Sequence, residues 1–217
     1  RKEFILNLYR PKDYIIEPQI NFDDINISDY KLKESKENET FYEGKSVKEA
    51  EYELTRCARA TASRWLSTKK SINLMKNYSI QNKINYDFVL QMRFDLFFHD
   101  RIFLTKDQIG KFLCVPRSYD NYEAIDDLFF VSSFEQAIQF STLYDSILNY
   151  SIRPPFAAKQ HLDECKIQPT YYLKESNITL QREYEKSKWK LLIKSFISRI
   201  IKSKVFRYLN HVIIIRK

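Results

Sequence analysis

Arg93 and Asp95 stand two residues apart, with His99 and Asp100 close behind, in the stretch Tyr86 to Leu104, YDFVLQMRFDLFFHDRIFL. An aspartate supplies oxygens to a hard cation, and an arginine supplies a planar fork of donors that fits phosphate or carboxylate. An ionised Asp at the end of a buried segment needs a cationic partner or a metal, because an unpaired buried charge is too costly. Two readings follow from the pair. Either it meets a ligand, or it is a structural Arg93–Asp95 ion pair that closes the segment. For His99 the plainer reading is a loop side chain.

The element that positions these residues is the run Phe88-Val89-Leu90. A short apolar run bounded by polar residues and rich in β-branched and aromatic types predicts a buried strand. A strand that delivers charged groups at its carboxyl end is where an open α/β sheet places ligand chemistry.

Several function classes are excluded on composition. The chain has only two glycines, Gly44 and Gly110, so neither a P-loop nor a dinucleotide fingerprint can be built. Its three Cys and three His are scattered, which argues against a disulfide framework and a zinc site, and for a reducing compartment. No apolar run approaches the roughly 20 residues of a bilayer span. The chain opens on Arg1 rather than Met, which leads to the expectation of a fragment or processed chain, incomplete at the amino end.

The net charge of +8 would suggest nucleic acid if it were spread evenly. It is not. Residues 186–217 hold ten Lys and Arg and no acid, so subtracting ten from eight leaves residues 1–185 at −2. From Tyr184 onward Trp189, Ile193, Phe196, Ile197, Ile200, Ile201 and Val205 follow a helical period, with basic residues between them. A basic amphipathic helix over 184–217 is expected to lie on an anionic membrane surface through 186–217. A helix packed on the body, a partner helix, a calmodulin-like target and a nucleic-acid arm are the alternatives.

The body, residues 1–183, reads as one α/β domain. Phe4 to Tyr9 is an extended piece. Residues 11–40 are polar without period, a surface loop. Leu54, Ala58, Ala62, Trp65, Ile72 and Met75 form a helical stripe over 46–82, with Ser46 and Glu49 spaced as a capping box. Arg56, Arg59 and Arg64 lie on that helix. Arg56 and Arg59 read as solvated, whereas Arg64, beside Trp65, is a candidate to face a phosphate. A helical turn follows at 104–110, then a strand at 111–115, a polar loop at 117–124 and a strand at 125–131. Ser133 caps a helix over 134–150. Two short helices fill 157–175, the second beginning at Pro169, and a strand follows at 178–180.

The succession TASRWLSTKKSINLMKNYSIQNKINYDFVLQMRFDLFF resembles a family of bacterial glycosyltransferase-like proteins encoded with capsule and lipopolysaccharide synthesis genes. The matching positions are Trp65, Ser67, Asn73, Leu74, Tyr86, Asp87, Arg93 and Asp95. The later IDDLFFVSSFEQA is similar to that family's Asp-containing strand at Asp127 and Ser132, and HLDECKIQPTYYLKESNITL to its Glu-containing helix at Glu164. The likeness runs roughly from Ser46 to Leu180.

The resemblance implies a GT-A-like mixed sheet flanked by helices. It implies an enzyme that moves a sugar from a nucleotide-diphosphosugar to a surface glycan or lipid-linked acceptor, cytoplasmic and peripheral at the inner face of the membrane, with no nucleic-acid partner. Such enzymes commonly hold Mg²⁺ or Mn²⁺ with an Asp-x-Asp sequence. Here Arg93 replaces the first Asp and Asp95 is the candidate metal or ribose ligand. Arg93, Asp95 and Arg64 are then the donor-side residues. Transfer needs a cation at the departing diphosphate and a carboxylate to take the acceptor proton. Asp127 or Asp126 is the candidate base, and Glu164 or Asp163 the second choice. Asp126 reads equally as a turn residue, and Tyr86 and Asp87 as the shapers of a turn. Two other classes stay open: a catalytically silent sugar-binding or membrane-scaffold module, and a metal-dependent phosphodiester hydrolase with His99 as the only nearby His.

Overall fold

One long helix, α1 (Val47–Asn82), carries the helical layer of the molecule. Its expected capping box is formed: Ser46 N donates to Glu49 Oε2 at 2.9 Å, and Glu49 N donates to Ser46 Oγ at 3.4 Å. All six stripe residues from Leu54 to Met75 are buried. The helix stops at Lys83, which takes the left-handed conformation. The computed structural model describes residues 11–18, 20–31, 43–93, 95–119, 122–174, 177–180 and 213–215.

A five-stranded mixed sheet lies against α1. Its strands are β1 (Phe88–Met92), β3 (Phe112–Tyr119), β4 (Tyr122–Ser132), β5 (Pro169–Tyr171) and β7 (Ile213–Ile215), in the order β5-β3-β4-β1-β7. Every pairing is antiparallel except β3–β5. A second sheet pairs β2 (Leu96–Phe98) with β6 (Ile178–Leu180). The chain is thus mixed α/β, as expected.

The β1 run is buried throughout. On the helical face of the sheet, Trp65, Phe112, Phe130 and Phe140 form the aromatic centre of the core, with Trp65 edge-on to Phe140 at 5.5 Å between ring centroids. On the other face Leu90, Met92, Leu113, Phe129 and Val131 pack with Leu96 and Ile178 of the small sheet.

Four expectations are corrected. The polar loop at 117–124 is instead the turn end of a β3–β4 hairpin that runs to the pair Tyr119↔Tyr122. An antiparallel strand can face water on one side, so polarity did not exclude it, and Pro116 sits at the irregularity where the ladder tolerates a missing donor. Pro169 begins β5, an edge strand, rather than a helix. The first of the helices expected from 157 begins earlier, as α3 (Pro154–Glu164), with Pro154 and Pro155 in the first turn, where their missing N–H groups cost nothing. The helix at 134–150 is α2 (Phe134–Ser141) followed by a 3-10 segment, Thr142–Asn149.

The polar segment 11–40 is also anchored in part. Tyr30 is 2% exposed and donates from its hydroxyl to the Ala58 carbonyl at 3.3 Å. Ile25 and Ile27 pack on the same core. The small side chain of Ala58 lets the segment lie close to α1.

The extended piece at Phe4 to Tyr9 and residues 181–212 and 216–217 of the basic tail lie outside the described residues. The helical reading of the tail does not extend to Ile213–Ile215, which pair with β1 as the edge strand β7. Three consecutive β-branched residues favour a strand over a helix.

Candidate functional site

Where β1 ends, β4 is irregular. Cys114↔Phe130 and Pro116↔Ile125 are register pairs, so the single residue Val115 of β3 lies opposite Asp126, Asp127, Leu128 and Phe129. The last β1 pair is Met92↔Phe129, immediately beside them. Such extra residues bend a strand and re-aim its side chains. The irregularity thus delivers two aspartates to the end of the central strand.

Alternation along β1 sends Val89 and Gln91 to the helical side, and Gln91 Nε2 donates to Thr68 Oγ1 of α1 at 2.8 Å. The next turn of α1 carries Arg64. Its Nε donates to the Asp127 carbonyl oxygen at 3.0 Å, its Nη2 donates to the same oxygen, and its Nη1 donates to Thr68 Oγ1 at 3.3 Å. Arg64 Nε also lies 3.5 Å from Asp127 Oδ2, with both side chains largely buried, at 13% and 12% exposure. Arg64 therefore does not present an open phosphate-facing fork, as its position beside Trp65 suggested. It is tied to the irregular strand. Its pKa is lowered, first by burial and then by the like charge of Arg93, with Asp127 opposing the shift.

Arg93 and Asp95 form a two-point pair: Nε donates to Oδ1 at 2.8 Å and Nη2 to Oδ2 at 2.7 Å. This pair is more open, at 37% and 26% exposure. Asp126 is turned inward, 4% exposed. Its Oδ1 accepts from Leu128 N at 2.8 Å and its Oδ2 lies 3.7 Å from Arg117 Nη1. Of its two readings, a turn residue and a base, the geometry fits the turn residue. Arg64, Arg93, Asp95 and Asp127 are thus brought to one end of the sheet, with Asp126 and Arg117 behind them on β4 and β3.

Glu164 belongs to a different cluster. It ends α3, where the Tyr150 hydroxyl donates to Glu164 Oε2 and lies 3.0 Å from His161 Nδ1. His161 Nε2 is 3.3 Å from the Gln139 carbonyl. Burial raises the Tyr150 phenol pKa, with Glu164 adding to the shift, and lowers that of the His161 imidazole. Asp163 is held by Lys159 at 2.6 Å one turn away. His99 Nε2 sits 2.8 Å from Thr179 Oγ1, joining β2 to β6. These contacts are structural in form.

The fit of a divalent cation follows from the same distances. Both oxygens of Asp95 already face Arg93. Among the described residues no three His, Cys, Asp or Glu side chains are grouped to hold a metal. A dication at Asp95 would also lie beside the Arg93 guanidinium. The residues present do not fit a protein-held metal at this position.

Arg117, Thr68 and Gln91 were not singled out from the sequence. Arg117 lay in what reads as a loop. Gln91 is a polar residue on a fully buried strand, a signal that a partner was required. His161 opens the stretch that carries Asp163 and Glu164, but Tyr150 lies 14 residues before Glu164, and nothing in its spacing announces the cluster.

Comparison with known proteins finds no matching family model, no matching curated protein and no matching solved structure. Among the described residues no helix is long and apolar enough to cross a membrane.

Proposed function

We propose that the chain is a glycosyltransferase that moves a sugar from a nucleotide-diphosphosugar to a bacterial surface polysaccharide or lipooligosaccharide acceptor. One observation carries the reading: Arg64, Arg93, Asp95 and Asp127 meet where β1 ends and β4 is irregular. A mixed sheet with helices on one face is compatible with a GT-A-like fold.

In the reaction, the acceptor hydroxyl oxygen bonds to the anomeric carbon while that carbon's bond to the diphosphate oxygen breaks. The nucleoside diphosphate departs with the electron pair, and the acceptor proton passes to a carboxylate. Arg93 meets the negative charge that develops on the leaving group. Asp127, at the strand end beside Arg64, is the proton acceptor. Asp95 aims Arg93. The basic segment 186–217 brings the enzyme to an anionic membrane where lipid-linked acceptors lie.

Incubation of the full chain with a panel of nucleotide-diphosphosugars tests the reading by release of nucleoside diphosphate. Asp95→Asn is expected to abolish turnover with an unchanged melting curve. Full activity in a folded Asp95→Asn variant removes Asp95 from the site.

A second reading has its own support. The carboxylates at the strand end each face an arginine, an arrangement that can hold a sugar or its phosphate with no proton transfer. A silent sugar-binding module of polysaccharide assembly would bind the same donors and release no nucleotide.

A further inference from the structure

We infer that the diphosphate of the donor is held at the end of β1 by guanidinium groups, led by Arg93, with no divalent ion bound by the protein. The inference rests on the transferase reading above and concerns how that site manages charge.

Two carboxylates at positions i and i+2 of a strand end would chelate a divalent ion. This chain has a guanidinium at 93 and a carboxylate at 95, and the two are joined by two hydrogen bonds of 2.8 and 2.7 Å. A metal at Asp95 must displace a cation already seated on both oxygens. It would then sit against Arg93, and near enough to Arg64 to be repelled, since Arg93 already opposes the charge on Arg64. An anion at the same place relieves that opposition. A phosphate presents the same pair of oxygens to a guanidinium as a carboxylate does.

The two arginines differ in what they are able to do. Arg64 is fixed by the Asp127 carbonyl and by Thr68, and is 13% exposed. Arg93 is 37% exposed and held by an aspartate two residues away on the same chain. A phosphate oxygen competes for Arg93 on equal chemical terms with Asp95. Arg64 supplies positive potential from behind without leaving its place. Asp95 keeps Arg93 aimed into the site, so that the anion meets a guanidinium already in position.

The experiment is calorimetric titration of the full chain with UDP, GDP, CDP and dTDP, once in EDTA and once with MnCl2, and with MnCl2 alone. One diphosphate is expected to bind in EDTA with an affinity that Mn²⁺ changes by less than about twofold, while Arg93→Ala weakens it by about tenfold or more, the loss of one charge-assisted two-point contact. Arg93→Lys, which keeps the charge and loses the fork, is expected to fall between them and serves if the alanine variant does not fold. Binding that vanishes in EDTA and returns with Mn²⁺ overturns this inference and leaves the transferase reading standing. Saturable uptake of Mn²⁺ alone also overturns it. Failure of every diphosphate to bind, with or without Mn²⁺, overturns both. Unchanged affinity in a folded Arg93→Ala chain removes Arg93 from the role.

Discussion

Arg64→Met separates a buried anchor from a ligand-facing arginine. In the native chain the guanidinium satisfies the Asp127 carbonyl, lies 3.5 Å from the Asp127 carboxylate and reaches Thr68, with both side chains of the pair about seven-eighths buried. Methionine fills similar volume and supplies no donor. It leaves a carboxylate 12% exposed without its guanidinium. Removing one partner of a buried pair costs about 3–5 kcal/mol. For a chain of this size each kcal/mol lowers Tm by about 2–4 °C, so a fall of about 6–20 °C is expected. Had Arg64 pointed to solvent or to an empty phosphate site, the cost would be about 0–1 kcal/mol, as for a surface pair. Asp127→Asn in the same chain removes the uncompensated charge, and the double variant is expected to be less destabilised than the two single losses added, by about 1–3 kcal/mol. The assay is urea unfolding followed by circular dichroism, with melting as a second probe. A melting temperature within about 2 °C of the parent, or strict additivity in the double variant, refutes the anchoring role.

The pKa of His161 is lowered by burial, so the unfolded chain takes up a proton near pH 6.5 that the fold resists. Stability is therefore expected to fall as pH drops below about 6.5, and His161→Gln to flatten that slope in urea midpoints taken between about pH 5 and 7. An equal slope in both proteins assigns the pH dependence elsewhere. For the basic tail, replacing Lys186, Lys188, Lys190 and Lys194 by Ala is expected to weaken binding to phosphatidylglycerol vesicles by roughly 1 kcal/mol per charge, with added salt doing the same to the parent. Substitution is preferred to truncation because Ile213–Ile215 complete the sheet beside β1. Vesicle binding indifferent to both the substitutions and salt rules out the electrostatic anchor.

The helical layer was legible because its signals are local. The stripe from Leu54 to Met75 repeats at the helical period, and the capping serines announce themselves three residues ahead of Glu49 and Gln136. The hairpin was not legible from residues 117–124, since the stretch contains no apolar run to mark a strand. Tyr30 was missed for a related reason: one anchoring side chain in a polar segment has no period. At the site, the sequence placed Arg93 and Asp95 together because their partners are two residues apart. It paired Arg64 with a phosphate because its true partner is Asp127, 63 positions away. Glu164 meets Tyr150, which in turn meets His161, and these contacts depend on how α3 folds back on the 3-10 segment. Only the packing of helices against the sheet and against each other could reveal these.

The difference between Arg64 and Arg93 comes down to the strand irregularity at Asp126–Phe129. In a regular ladder the carbonyl of Asp127 would accept from a neighbouring strand and have no need of a side chain. The four residues opposite Val115 take that carbonyl out of the ladder, and a buried carbonyl needs a donor from elsewhere. Arg64 supplies it from α1, which spends the guanidinium on structure and holds a positive charge at the strand end. That charge acts on whatever occupies the same space. It raises the cost of a second cation at Arg93 and lowers the cost of an anion, so the strand defect and the anion preference have a single origin. Restoring a regular register, which takes deletion of three of the four residues Asp126–Phe129, should therefore remove the need for Arg64 and the anion preference together.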